Sequence, residues 1–140
     1  MSTEAFKAKL RRLDEEVFNK GNMSIIDEVV STDFVNHDPF PGEPAGREGF
    51  KQSATAMRAA FPDLHFTNEQ MIAEGDMVAH RYTMHGTHTG SFLGLPPTGR
   101  AITMRGIDLL RFVDGKVVDR WARTDDLGLM QQLGLAPQEG

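Results

Sequence analysis

The order of its patterns predicts an α+β fold for this chain, with N-terminal helices covering the concave face of a curved, mainly antiparallel sheet. Three observations carry that prediction. Apolar residues recur at intervals of three and four through the first 61 positions. Alternating segments separated by turn signals then occupy most of positions 64 to 124. A short apolar helical pattern closes the chain after them.

Ser2 or Thr3 can cap a first helix, in which Phe6, Leu10, Leu13, Val17 and Phe18 form one apolar stripe. Gly21 suits a left-handed C-cap. A short second helix from about 23 to 30 turns Ile25, Ile26, Val29 and Val30 toward a core, and residues 34 to 39 follow as an extended piece ending at a proline. Residues 39 to 46, P-F-P-G-E-P-A-G, carry three prolines and two glycines, so they form a loop and a candidate rim. A third helix over 47 to 61 spaces Phe50, Ala54, Met57 and Phe61 by four, three and four, and Pro62 with Asp63 stops it. Strands over 64 to 73 and 77 to 88 flank an E-G-D turn and are antiparallel by turn chemistry. The connection from 90 to 100 is too rich in Gly and Pro for regular structure, and its Phe92, Leu93 and Leu95 predict a loop folded back over something apolar. Strands over 101 to 112 and 116 to 124 flank a D-G turn. Asp125 or Asp126 then begins a last helix, with Leu127, Leu129, Met130 and Leu133 inward. A sheet curled over helices leaves a concave interior, the natural place for a small molecule.

At 140 residues the chain reads as one domain, 1 to 140, with room for one sizeable core. Hydrophobic content of 39% and charged content of 25% are ordinary for a globular protein, and no run approaches the roughly 20 apolar residues that span a bilayer. The opening M-S-T-E-A-F-K-A-K-L-R-R reads as an amphipathic helix, not a secretion signal, so no membrane partner and a cytoplasmic location are expected. The absence of cysteine excludes disulfides, thiolate metal sites and a cysteine nucleophile. A formal charge of -5 argues against nucleic acid as a partner. The basic cluster of Lys7, Lys9, Arg11 and Arg12 is most simply a solvated helix face.

The hairpin of the last two strands holds the densest mixture of charge and aromatic in the chain. A two-residue turn at Asp114-Gly115 would pair Asp108 with Trp121, and a three-residue loop with Gly115 left-handed would pair Asp108 with Arg120. The second register is favoured. It puts Gly106, Asp108 and Leu110 on one face with Val118, Arg120 and Ala122, and Ile107, Leu109 and Arg111 on the other with Asp119 and Trp121. An Asp108-Arg120 pair inside a cavity would keep the carboxylate ionised and oriented, as a base or anion holder. At the surface the same pair would be a salt bridge worth roughly 0 to 1 kcal/mol.

Three of the five histidines fall in H-R-Y-T-M-H-G-T-H. His80 and His85 point to opposite faces of a strand and His88 lies beyond Gly86, so the trio does not converge, and no metal site is expected. His37, between Asn36 and Asp38, can act as acid or base at a cavity mouth. Met57, Met84, Met104 and Met130 occupy apolar positions; Met57 and Met104, with Tyr82, are candidate contacts for a flat ligand. No G-x-S-x-G, G-x-G-x-x-G or P-loop occurs.

The chain resembles the SnoaL-like polyketide cyclases, or ester cyclases, of the nuclear-transport-factor-like superfamily. The resemblance rests on F-V-N-H-D-P (34 to 39), A-F-P-D-L (60 to 64), A-E-G-D (73 to 76), G-T-H-T-G-S-F-L-G-L-P-P-T-G-R (86 to 100), and D-G-K, Trp121, Asp125 and Q-Q-L-G in the closing stretch. It implies a cone-shaped α+β barrel with the N-terminal helices in the concave face. It also implies closure of a polyketide ester ring by intramolecular aldol condensation, without metal or cofactor, with a carboxylate after D-G-K as general acid and base. That aspartate falls at Ala122 here, the family's preceding-strand histidine at Asp108, and another strand histidine at Arg120. Asn36 matches a pocket asparagine, and Asp125 an aspartate at the strand-helix junction, where it caps a helix or takes part in catalysis.

The resemblance therefore implies an enzyme acting on a small, mostly apolar carbonyl compound, with Asp108 as base, Arg120 orienting it, and Asn36 and His37 as polar partners. Ala122 leaves two other readings open, a non-catalytic binding protein and a hydroxylase of the same family. A homodimer through the outer face around Trp121, Ile107 and Leu109 is expected.

Overall fold

The computed structural model describes residues 2 to 137. Helix α1 (Thr3–Leu13) starts at Ser2, whose hydroxyl accepts from the Ala5 N–H at 3.2 Å. The helix runs on as a π-helical stretch, Asp14–Asn19, in which the Lys20 N–H reaches back five residues to the Glu15 carbonyl. Gly21, at φ +77°, takes the left-handed turn that ends it. Helix α2 (Ser24–Val29) then passes directly into strand β1 (Val30–Asn36). Helix α3 (Arg47–Ala60), strands β2 (His65–Glu74), β3 (Met77–Thr87), β4 (Ala101–Val113) and β5 (Lys116–Thr124), and helix α4 (Asp126–Gln132) complete the described chain.

The sheet has the order β1-β5-β4-β3-β2. The pairings of β2 with β3, β3 with β4 and β4 with β5 are antiparallel, the first and last across the predicted turns, while β1 adds a fifth strand parallel to β5. The extended piece expected near residue 34 is thus the end of an edge strand that begins earlier. Val30, expected to close the second helix, is its first residue because the backbone there is already extended.

The β4-β5 register differs from both that were weighed. Asp114 at φ +49° and Gly115 at φ +77° form a two-residue turn, pairing Val113 with Lys116 and Phe112 with Val117. A bulge at Val118 then shifts the ladder, so that Asp108 faces Ala122 and Leu110 faces Arg120. The shift from the expected pairing is two residues, and a shift of two preserves the faces. Arg120 therefore still shares the inner face with Asp108, as a diagonal neighbour. A second bulge, between Asn68 and Gln70 of β2, leaves Asn68 opposite Tyr82 and Met71 opposite His80.

Two apolar clusters fill the concave side. One joins α1 and α2 to the sheet through Phe6, Leu10, Val17, Ile26 and Phe112, with Phe6 stacked on Phe112 at 4.3 Å. The other joins α3 and α4 to it through Met57, Phe61, Met84, Met104 and Leu129. Phe18 packs against both. The loop from 88 to 100 folds back as expected, although Phe92 alone of its apolar trio is buried and Leu93 stays exposed. His88, fully buried, holds that loop: its N–H donates to the Arg100 carbonyl, and its Nδ1 accepts from the Thr98 N–H at 3.2 Å.

The proline-rich loop before α3 is held by close backbone approach. A Cβ on Gly49 would lie 1.8 Å from the Pro44 carbonyl oxygen. Glycine to alanine in a helix ordinarily gains up to about 1 kcal/mol, but overpacking against a fixed carbonyl costs about 1 to 3 kcal/mol. Gly49→Ala is expected to lower stability in urea unfolding; a raised midpoint would show that the loop yields freely.

Candidate active site

A cavity of about 330 Å³ opens in the seam between the two apolar clusters. Its wall is largely apolar, from Leu10 and Leu13 of α1, Met57 of α3, and Phe66, Met84 and Met104 of the sheet. Pro39, Phe40, Pro41 and Glu43 form part of its boundary, so the proline-rich loop is a rim. An edge contact of Phe40 with Phe92, 6.3 Å between centroids, ties the rim to the loop after β3.

Polar groups converge at one end. The period of two along a strand aims His80 and Tyr82 of β3, Asp108 of β4, and Arg120 of β5 at the same interior. His80 Nδ1 lies 3.0 Å from Asp108 Oδ1, and Arg120 Nε lies 3.5 Å from Asp108 Oδ2. Arg120 Nη1 donates to Asn36 Oδ1 at 3.2 Å, and Asn36 Oδ1 also accepts from the Asp38 N–H. On its other side His80 Nε2 contacts Asn68 Oδ1 and stands 3.4 Å from Asp14 Oδ2. Gly106 gives Tyr82 its place, because a Cβ there would lie 2.6 Å from the Tyr82 ring.

The electrostatics follow from burial and from these partners. Asp14 is only 5% exposed, and burial, reinforced by the negative charge of Asp108, lifts its carboxyl from 3.8 to about 7 against the pull of His80, Asn68 and Arg120. Burial works against a charged His80, yet the hydrogen bond and charge of Asp108, with Asp14 beyond, outweigh it and raise the imidazole. Burial and the nearby Asp108 push the Tyr82 phenol up to about 12, so it remains a hydroxyl donor at neutral pH. Among the described residues no group of three or more His, Asp or Glu side chains is arranged to hold a metal ion.

Seven of the nine residues singled out from the sequence line this cavity: Asn36, Met57, Tyr82, Met104, Asp108, Arg120 and Ala122. His37 and Asp125 do not. The strand alternation that turns Asn36 inward carries His37 outward, where its ring stacks on Trp121 at 4.6 Å and its Nε2 lies 2.8 Å from Asp119 Oδ1. Asp125 caps α4 by accepting from the Gly128 N–H at 2.9 Å. Sequence reasoning missed Asp14, Asn68 and the inward role of His80. A signal for Asp14 was present, since it lies four residues after Leu10 and three before Val17, an acid on a helix's buried stripe.

A curved sheet closed by helices over one cavity, with ionisable groups gathered at one end, is an α+β cone of the kind that houses a small molecule. The chain belongs to the SnoaL-like polyketide cyclase family, whose model matches residues 8–133. It is 31% identical over 125 residues to aklanonic acid methyl ester cyclase DnrD of Streptomyces peucetius, covering 85% of this chain and 84% of that protein. It is 33% identical over 119 residues to nogalonic acid methyl ester cyclase of Streptomyces nogalater, covering 84% and 89%. Among solved structures it superposes on AclR, a candidate hydroxylase from Streptomyces galilaeus, with TM-score 0.84 and 32% identity over 97% of this chain and 100% of that one.

The raised Asp14 has a consequence for stability. A carboxyl that holds its proton more tightly when folded costs nothing below the unfolded value of 3.8 and costs progressively more as pH rises toward about 7. Asp14→Asn removes that cost. Its unfolding free energy from urea titration is expected to exceed that of the parent at pH 8.5, by up to about 4 kcal/mol, with the advantage shrinking toward pH 4.5. An advantage independent of pH would show that burial does not raise Asp14.

Proposed function

We propose that the chain is a cofactor-independent cyclase that closes a ring by aldol-type acid/base chemistry on a small, mostly apolar polyketide ester, with Asp108 as base. The observation that carries this reading is the ladder position of Asp108. It faces Ala122 directly across the hairpin, and directly paired residues have their Cβ atoms about 4.5 to 5.5 Å apart. A carboxylate on β4 can therefore serve the space that the family's aspartate, on β5, would serve. Arg120 orients it, and Arg120, Asn36 and the Tyr82 hydroxyl supply donors for an enolate oxygen. His37 takes no part in this reading, because its ring faces away from the cavity. We assign the protein to the cytoplasm.

The substrates named for the two cyclase relatives suggest the assay. With aklanonic acid methyl ester as probe, Asp108→Asn is expected to lower turnover on the order of 10²- to 10⁴-fold, the usual scale for removing a general base. Unchanged turnover removes Asp108 from the mechanism. Ring closure should persist in EDTA and under argon. A product that forms only in oxygen would favour the hydroxylase reading that AclR suggests, and thermal stabilisation by the probe without any product would favour a binding protein.

The same reading includes a homodimer. Val35, Ile107, Leu109 and Trp121 are exposed large side chains on the convex face of adjacent strands, which makes that face a suitable contact between two copies. Sedimentation equilibrium at micromolar concentration should give twice the chain mass, and Trp121→Arg should give the monomer. A monomeric parent would remove the dimer.

A further inference from the structure

Asp14 lies outside the positions that the family resemblance singles out, yet it is the part of the polar cluster with spare capacity. Both oxygens of Asp108 already face partners, Oδ1 toward His80 and Oδ2 toward Arg120. Asp14 Oδ2 is buried and makes no hydrogen bond, with His80 Nε2 3.4 Å away as an ion-pair contact, on a residue that lines the cavity. A buried carboxyl oxygen left without a hydrogen bond costs stability, and such atoms in folded proteins call for a specific explanation. Its backbone adds a second signal: Asp14 is the first residue of the π-helical stretch, a feature frequent at functional sites.

We propose that Asp14 is the general acid of the site, a catalytic residue that protonates the oxygen of the carbonyl being attacked while Asp108 acts as base. This rests on the cyclase reading and supplies its second proton-transfer group. Asp108 takes the proton from the carbon beside the substrate carbonyl, and the C–H pair becomes the enolate. The enolate carbon forms the new C–C bond, the π pair of the second carbonyl moves onto its oxygen, and the Asp14 O–H delivers a proton there. One proton has then left substrate carbon and one has reached substrate oxygen, leaving Asp108 protonated and Asp14 ionised. His80 faces both carboxyls, with Nδ1 toward Asp108 and Nε2 toward Asp14. Taking a proton from Asp108 at Nδ1 and releasing one to Asp14 from Nε2 resets both carboxyls and leaves His80 in its other tautomer, which proton exchange with solvent returns to the first.

Two carboxyls kept in different protonation states by their surroundings are the general pattern for acid and base within one site. Burial keeps Asp14 protonated to about pH 7. The groups that face it are Asn68 of β2, His80 of β3, Asp108 of β4 and Arg120 of β5. Above that pH the acid is lost, so ring closure should slow.

The test separates the two carboxyls by what each step needs. In D₂O, deuterium exchange into recovered aklanonic acid methyl ester, above the uncatalysed rate, requires only the base; ring closure requires base and acid. Asp14→Asn should keep exchange within a few-fold of the parent and lose closure on the order of 10²- to 10⁴-fold, without the fall above about pH 7. Asp108→Asn should lose both. A 13C titration of the parent's Asp14 carboxyl, assigned by its absence in Asp14→Asn, should show the transition near neutrality in a folded protein. Closure by Asp14→Asn at the parent rate overturns the assignment and leaves Asp108 as base. Loss of exchange together with closure in Asp14→Asn also overturns it, since Asp14 would then be the base. A parent that neither exchanges nor closes the probe brings down the cyclase reading, and this inference with it.

Discussion

Asp14, His80, Asp108 and Arg120 come from four separate elements and meet in a seam between two apolar clusters, where each would be costly to bury alone. Isolated, a charge of this kind would change its protonation state or open the fold to water. Together they compensate: the guanidinium and imidazole lie on either side of Asp108, and Asp14 answers its own burial by holding a proton. The cavity exists on those terms. Its apolar wall can press close to the polar end because the charges are already engaged with one another.

Two strand irregularities make this convergence possible. The bulge in β2 lets Asn68 and Met71 face inward from positions three apart, so Asn68 reaches His80 while Met71 packs against the core. The bulge in β5 follows a tight two-residue turn and brings Ala122, not Arg120, opposite Asp108. Arg120 thereby lies on the diagonal, close enough to pair with Asp108 and with Asn36 across the β1-β5 junction. Without the bulge, the same two-residue turn would put Trp121 opposite Asp108 and turn Arg120 to the outer face. In the proposed cyclase reading, this chain, with Ala122 where the family has its carboxylate, keeps a carboxylate at Asp108, because two residues paired across a ladder serve the same volume.

The same alternation divides the sheet into two unlike faces. Inward, it aligns Asn36, His80, Tyr82, Asp108 and Arg120; outward, it aligns His37, Trp121, Asp119 and Arg111 in a layer of stacking and ion pairs. Asn36 and His37 are neighbours in sequence and belong to different surfaces. Reading His37 with Asn36 as one constellation overlooked the period of two.

Much of this was legible in the sequence. Periodicity and turn residues sufficed for the helices and the antiparallel hairpins, because each depends on residues near one another in the chain; the shared face of Asp108, Arg120 and Ala122 was expected from a three-residue loop and is reached instead by a two-residue turn followed by a bulge. Seven of the cavity residues followed from that alternation and from family resemblance. The parallel pairing of β1 with β5 joins segments some eighty residues apart, and local patterns carry no record of such a choice. The two bulges arise from the fit of whole strands to a curved sheet. Above all, the helical spacing puts Asp14 on the buried stripe but does not say what it meets there; only when the first helix is laid on the sheet does packing put its carboxyl beside His80 and away from water. Local order came from the sequence alone; the meeting of buried charges was decided by tertiary packing, because only packing sets which distant side chains must share one dry space.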